Sequence, residues 1–249
     1  GTDLKRAASA AVLDVVLDYE GTLMPLEATP SQAAPDEDLL ALLTTLAHCP
    51  STHVHVVSGS DTARLSSWLG HLPIWLHAEH GAHTRPPYPD APWQLAPEAP
   101  WKTEALHALD VVASQAPGSF VEEMRASVAL HVRCVPRDAR EPIAHGAALV
   151  LDRLRAKTPG MDVVSGDCVV EARTPEAHEG RIADTLSVGA VVVAAGDDVT
   201  DDELFGALRG DAVTVAVGPR PQRARYRMRD PAELRALLGR LAGARCTSR

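Results

Sequence analysis

The sequence predicts an α/β fold in which a parallel-stranded core is interrupted by an α+β insertion. Three observations carry that expectation. Apolar runs of strand length alternate with helically spaced leucines near both ends of the chain, the rhythm of β-α-β units with right-handed crossovers. The middle of the chain changes to short alternating strands with helices between them. A proline-rich stretch at 85–101, "RPPYPDAPWQLAPEAPW", marks where the change begins.

In chain order, "GTDLKRAASAA" reads as a helix or linker and not as a signal peptide, since it has no long apolar core. "VLDVVLD" (12–18) and "HVHVVSG" (53–59) are strands. Between them, "PDEDLLALLTTLAHC" starts acidic and continues with helically spaced leucines. "SDTARLSSWLGHL" is the next helix and "IWLHAEHG" the next strand. The insertion holds a helix over about 102–115, strands in "FVEEMRASVALHVRCV", a helix over about 140–156, and two short strands in "DVVSGDCVVEAR". The core rhythm then returns. "AVVVAAGDD" is a buried strand, "TDDELFGAL" a helix with an acidic first turn, "DAVTVAVG" a strand, and "DPAELRALLGRL" a closing helix announced by Asp230 before Pro231.

Composition narrows the classes of function. The 249 residues suit one large domain or two modest ones, and 45% apolar residues suffice for a buried core. No apolar run reaches 18 residues, so no membrane span is expected. A net charge of −9 argues against nucleic acid as partner. The basic run at 220–229, "RPQRARYRMR", reads as a solvated loop and helix start. Cysteines at 49, 134, 168 and 246 form no C-x-x-C pair, which suggests neither zinc nor a redox motif; reduced thiols in a cytoplasmic setting are expected.

In open parallel sheets, ligands bind beyond the carboxyl ends of the strands. Three predicted strands end in Asp18, Ser58 and Asp197. A carboxylate at such an end, beside backbone N–H groups, can attack phosphorus and form an aspartyl-phosphate. Asp18 is the candidate nucleophile. Gly21 and Thr22, with Ser58 and Gly59, offer backbone approach and hydroxyls to a phosphate. Asp197, Asp198 and Asp201 offer hard oxygen ligands to Mg²⁺. Glu20, two residues past Asp18, takes the position of a general acid and base.

"LDYEGTL", "VVSGS" and "AAGDDVTDDELF" resemble the motifs of haloacid dehalogenase superfamily phosphatases. "LPIWLHAEHGA", "PGSFVEEMRASVALHVR", "VVEARTPEAHEG" and "GDDVTDDELF" resemble the trehalose-6-phosphate phosphatase family, in order and over nearly the whole chain. The lead-in "DLKRAASAAVLDVVLDYEGTL" is similar to the phosphatase half of bacterial fusions with a trehalose-phosphate synthase. The resemblance implies a Rossmann-like haloacid dehalogenase core over 1–98 and 177–249, with an α+β cap over 99–176. It implies Asp18 as nucleophile and Mg²⁺ held by Asp18, Asp197 and the carbonyl of residue 20. Glu20, Asp198 and Asp201 are the further metal candidates. It implies sugar contacts from Glu122, Arg133 and Glu171, and a phosphorylated disaccharide, trehalose 6-phosphate or a relative, as substrate.

Four matched positions depart from that family. Glu20 stands where Asp is usual, Ser60 where Arg is usual, and Met124 and Glu179 where Lys is usual. Three cations near the phosphate are thereby lost and one becomes an anion. Losing one stabiliser of transition-state charge costs about 10²–10³ in rate, and a 1 Å misplacement of an acid costs roughly 10²-fold. Two readings follow. One is an active Mg²⁺-dependent phosphatase, which requires Arg125 or Arg181 to stand in for the missing cations, with impaired catalysis expected on charge grounds. The other is a degenerate pseudoenzyme domain with a structural or regulatory role beside a synthase.

Blander readings cover other residues. His77, His80 and His83 lie on a strand-to-turn segment and would not converge on a metal, with His80 at most on the rim of the site. Trp68 and Trp75 are expected in the core. His131 and Arg133 alternate along a strand, and Arg133 either contacts sugar or pairs with Glu122.

Overall fold

A computed structural model describes residues 2–27, 29, 32–88, 90–221 and 223–247. The chain divides into two compact units, Gly1–Gln94 with His178–Arg249, and Leu95–Ala177.

The first unit begins with α1 (Thr2–Ala8), β1 (Leu13–Asp18), α2 (Glu37–His48), β2 (Thr52–Val57), α3 (Thr62–Leu69), β3 (Trp75–Ala78) and β4 (His83–Arg85). After the second unit it resumes with a 3₁₀ segment (Glu179–Thr185), β9 (Val191–Gly196), α6 (Asp201–Ala207), β10 (Val213–Val217), β11 (Tyr226–Met228) and α7 (Pro231–Thr247). Its seven strands lie in the order β11-β10-β9-β1-β2-β3-β4. All neighbours are parallel except β3 and β4.

β1 lies at the centre because both of its faces are apolar. Leu13, Val15 and Leu17 pack into the main core with Leu39, Leu43 and Leu46 of α2 and Leu234, Leu238 and Leu241 of α7. Val16 faces the other way, against Val57, Ile182, Val192, Ala194, Leu204 and Phe205. A parallel sheet needs this cover on both faces. Each fully buried leucine contributes about 1.5–3 kcal/mol. Helix starts are fixed by aspartates, as their side chains favour: Asp36 accepts from Leu39 N–H (2.7 Å), Asp61 from Arg64 N–H (2.7 Å) and Asp230 from Glu233 N–H (2.9 Å).

Several expectations are corrected. "IWLHAEHG" is only the first half of an antiparallel hairpin, β3 with β4. The basic run contains β11, paired in parallel with β10. Arg227 within it donates to the carbonyls of Gly218 and Pro221. Trp68, half-buried, packs against the main core as expected and stacks on Tyr19, whereas Trp75 is half-buried and stacks on His55. Cys49 and Cys246 form a disulfide across 197 residues of sequence, so the expectation of reduced thiols fails for that pair, and with it the thiol argument for a cytoplasmic setting. Spacing could not show this pair, because only the packing of α7 against the end of α2 brings the two residues to a Cα separation of 5.1 Å. Among the described residues no helix is long and apolar enough to cross a membrane.

The second unit contains α4 (Lys102–Ser114), β5 (Phe120–Glu123), β6 (Ser127–His131), α5 (Arg137–Arg155), β7 (Asp162–Gly166) and β8 (Val169–Arg173). Its antiparallel sheet has the order β5-β6-β8-β7. Val128, Leu130, Val170 and Ala172 pack with Leu109 of α4 and Leu151 of α5. Alternation sends Glu122, Ala129 and Glu171 to the opposite face, where register aligns them across three strands.

Beside Cys246, the Arg245 guanidinium is buried and donates to the carbonyls of Ala7, Ala8, Ala10, Pro50 and Ser51 and to Thr52 Oγ1, at 2.5–3.3 Å. It joins α7 to the chain entering β1 and β2. Arg245→Ala strands these buried acceptors and is expected to lower stability by about 3 kcal/mol, or roughly 6–12 °C in Tm; calorimetry checks it.

His55 Nδ1 and His77 Nε2 lie 3.1 Å apart. Burial pushes His77 down to about 3 from 6.5, and burial with the neighbouring His77 and His53 lowers His55. Below pH 6.5 the unfolded chain therefore binds protons that the folded chain does not, so stability is lost as pH falls from 6.5 toward 3. Each histidine adds a slope of up to about 1.4 kcal/mol per pH unit. In urea melts across this window, His77→Gln is expected to flatten the slope.

Candidate active site

β1 and β9 are adjacent and parallel, so their carboxyl ends open on the same edge of the sheet. There Asp18, Asp197 and Asp201 each present a carboxylate oxygen, all within 4.8 Å of one another. The local sequence explains how such a set can be packed. Gly21 has φ +87°, and a Cβ there would strike the Asp197 carboxylate. Its N–H donates to the Met24 carbonyl (2.7 Å), while the Tyr19 carbonyl accepts from Leu23 and Met24 (both 2.9 Å). The Tyr19 hydroxyl anchors this turn on the Ala33 carbonyl (2.7 Å). Gly196 likewise leaves room for Asp201, which a Cβ would overlap. Asp201 folds back over the turn and accepts from the N–H groups of Asp197 (2.9 Å) and Asp198 (3.0 Å) through Oδ2.

The electrostatics follow from crowding. Burial, then Asp197 and Glu179, raise the Asp18 carboxyl well above the usual carboxylate range, and Thr22 and the Tyr19 N–H offset part of this. Burial, then Glu179 and Asp18, do the same to Asp201. Asp18 Oδ2 and Asp201 Oδ1 are buried without a hydrogen-bond partner. Buried carboxylate oxygens left in this way, with two glycines clearing space beside them, fit a hard divalent cation such as Mg²⁺.

The other expected residues are placed as follows. Glu20 and Asp198 stand outside the three-carboxylate group. Glu20 Oε1 accepts from Ser60 Oγ (3.2 Å), whose oxygen accepts from Arg64 Nη1 (3.4 Å). Asp198 Oδ1 accepts from its neighbour Val199 N–H (2.7 Å) and shapes the turn. Thr22 and Ser58 are buried. Ser58 Oγ accepts from Ser60 N–H (3.0 Å), and Gly59 admits the His80 ring, which a Cβ would meet at 2.9 Å.

Glu179 is only 1% exposed, and its Oε1 lies 2.9 Å from His80 Nδ1. His77, His80 and His83 have separate partners: Thr84 and His55, Glu179, and Glu79. Of the suggested replacement cations, Arg181 is exposed, and Arg125, in the second unit, donates to the Ala96 carbonyl (3.1 Å). Sequence reasoning missed Arg220, whose Nη1 lies 3.7 Å from Asp197 Oδ2, and Arg64. Only the fold brings them near, although Arg64 lies one helical turn from Ser60.

In the second unit Glu122 pairs with His131 (2.9 Å), not with Arg133. β6 ends at His131, so Arg133 leaves the alternation and meets the β7–β8 turn, where it pairs with Asp167 (3.0 Å). Met124 is buried, and its N–H donates to the Ser127 carbonyl (3.0 Å) to close the β5–β6 hairpin.

Comparison with known proteins agrees with this arrangement. Residues 16–231 match the family model described as Trehalose-phosphatase. A relative in Thermoproteus tenax, named bifunctional trehalose-6-phosphate synthase/phosphatase, is 41% identical over 236 residues, covering 91% of this chain and 31% of the relative. The chain spans about a quarter to a third of the length of the curated relatives it matches first. Among solved structures, the C-terminal domain of a Candida albicans trehalose-6-phosphate phosphatase superposes with a TM-score of 0.90 at 24% identity, covering 97% of this chain and 96% of that one. A haloacid dehalogenase-like hydrolase from B. subtilis shares the fold with a TM-score of 0.60 at 13% identity, over 90% and 97% of the two chains.

Gly21→Ala tests the packing of the site. The left-handed conformation and the collision with Asp197 are expected to lower stability by about 2 kcal/mol or more, read by urea denaturation. Gly210→Ala is the control, since a Cβ there meets nothing within 4 Å.

Proposed function

Because this chain belongs to the trehalose-phosphatase family, we propose that it hydrolyses the phosphomonoester of a phosphorylated disaccharide, trehalose 6-phosphate or a relative, with impaired catalysis. The observation that carries the proposal is the convergence of Asp18, Asp197 and Asp201 within 4.8 Å at the carboxyl edge of the parallel sheet.

In this reading an Asp18 oxygen attacks phosphorus, and the bond from phosphorus to the sugar oxygen breaks. Glu20 gives the departing oxygen its proton. Water then attacks the aspartyl-phosphate, Glu20 takes the proton of that water, and inorganic phosphate leaves with the Asp18 carboxylate restored. Mg²⁺ held by Asp18, Asp197 and Asp201 would neutralise charge on the phosphoryl oxygens and on the carboxylates themselves. Gly21, Thr22, Ser58 and Gly59 hold the phosphate, while Glu122, Glu171 and Arg133 are assigned to the sugar.

Impairment rests on two features. Glu179 is buried with its charge bearing on both Asp18 and Asp201. Ser60, an uncharged residue where arginine is usual, donates to Glu20. Buried Glu179 also favours a second reading, a degenerate domain that acts beside a synthase; the Thermoproteus tenax relative is named as a bifunctional synthase/phosphatase.

Phosphate release from trehalose 6-phosphate with Mg²⁺ separates the two. Slow turnover that Asp18→Asn abolishes supports the phosphatase; no turnover above that of Asp18→Asn supports the degenerate domain. In the first case, Glu20→Asp combined with Glu179→Lys is expected to raise the rate by about 10²-fold or more.

A further inference from the structure

We propose that Arg220 is a further phosphate-binding residue of the Asp18 site: its guanidinium, carried on the loop between β10 and β11, holds phosphoryl oxygens once a divalent cation engages Asp197. The inference rests on the phosphatase reading and deepens it, since it names a cation that stands in for those missing at positions 60 and 179.

The placement follows from the sheet. β10 is parallel to β9, with Ala216 opposite Gly196, so the loop after Val217 opens on the same edge as Asp197. Arg220 Nη1 lies 3.7 Å from Asp197 Oδ2. Asp197 in turn shares the 4.8 Å group with Asp18 and Asp201, so a single carboxylate stands between the guanidinium and Asp18. The contact is an ion pair longer than an ordinary hydrogen bond, and the Arg220 side chain is 34% exposed. An anion arriving from solvent can reach it.

The loop is built to hold this arginine in place. Its sequence is "VGPRP" at 217–221. Pro219 fixes its own φ, and Pro221 keeps Arg220 out of the helical region. Gly218 turns the chain with φ +75°, and its N–H donates to the Met228 carbonyl (2.8 Å). Arg227 closes the loop from the far side through the carbonyls of Gly218 and Pro221. Arg223 N–H ties it to Asp202 Oδ1 at the start of α6 (2.9 Å). Binding a phosphate then orders one side chain and not a whole loop. Within the basic run, Arg227 fastens and Arg220 faces the site.

Charge supplies the reason. Asp18, Asp197 and Asp201 carry three negative charges when ionised, and one divalent cation leaves one of them uncompensated. Arg220 cancels it before a phosphate dianion enters. A guanidinium also matches phosphate oxygens with paired N–H donors.

Calorimetric titration of the whole chain with inorganic phosphate at saturating Mg²⁺ tests the proposal. Arg220→Ala is expected to weaken phosphate about 10–100-fold, and Arg220→Lys to recover part of that loss. Arg209→Ala, which removes an exposed arginine paired with Asp211, is expected to change nothing. Arg227→Ala keeps Arg220 but loosens its loop, and is expected to weaken phosphate about 2–10-fold; it keeps the test valid if the changes at 220 fail to fold. Mg²⁺, titrated without phosphate, is expected to bind Arg220→Ala no more weakly than wild type, because the ion pair competes with the metal for Asp197. Wild-type phosphate affinity in Arg220→Ala overturns the assignment and leaves the phosphatase reading standing. So does a loss of phosphate that a parallel loss of Mg²⁺ accounts for, since Arg220 then acts only through Asp197. Phosphate bound as expected, with no phosphate released from trehalose 6-phosphate, supports the Arg220 site and overturns the phosphatase reading. No Mg²⁺-dependent phosphate binding by wild type overturns both.

Discussion

Repulsion among carboxylates at the carboxyl edge of a parallel sheet is the constraint around which the first unit is arranged. Parallel pairing forces the ends of β1 and β9 to the same edge, so Asp18 and the Asp197–Asp201 turn have to share space. Two unit charges at about 5 Å repel by roughly 3 kcal/mol at an effective dielectric of 20. That is as much as burying one or two leucines contributes. Burial, together with this repulsion, raises the carboxyls of Asp18 and Asp201. Glycine at 21 and 196 and two backbone N–H groups on Asp201 allow the crowding without relieving it.

A strained edge needs a firm base. The apolar faces of β1 supply most of it, with α2 and α7 packed on one side and α6 and the 3₁₀ segment on the other. The opposite end of the sheet is fastened by Arg245 and by the Cys49–Cys246 disulfide. Closing so long a stretch of chain in the unfolded state is worth several kcal/mol in chain-entropy terms. Neither fastening touches the site, so rigidity and chemistry are set at opposite ends of the same strands.

The four departures from the family pattern form two local systems and one isolated change. Glu20, Ser60 and Arg64 make a hydrogen-bonded chain, in which an arginine one turn into α3 reaches the serine that stands where arginine is usual. Glu179 and His80 form a buried pair held by a strained turn. Met124 fills a hairpin of the second unit. Each replacement is therefore built into its surroundings.

The amino-acid sequence by itself determined most of the strands, the helix start at Asp230, and the motif positions Asp18, Ser58 and Asp197, because hydrophobic period and side-chain capping act over a few residues. It also marked Glu20, Ser60, Met124 and Glu179 as unusual, because a motif is itself a local pattern. β11 escaped because a basic run masks a three-residue edge strand. The misjudged partner of Glu122 came from assuming that β6 continues past His131. What only the tertiary structure decided were contacts between distant segments: Cys49 with Cys246, Arg220 with Asp197, His80 with Glu179, and the exclusion of Glu20 and Asp198 from the carboxylate cluster. These depend on which strand ends meet and how each turn aims its side chains, and the packing of the whole unit fixes both.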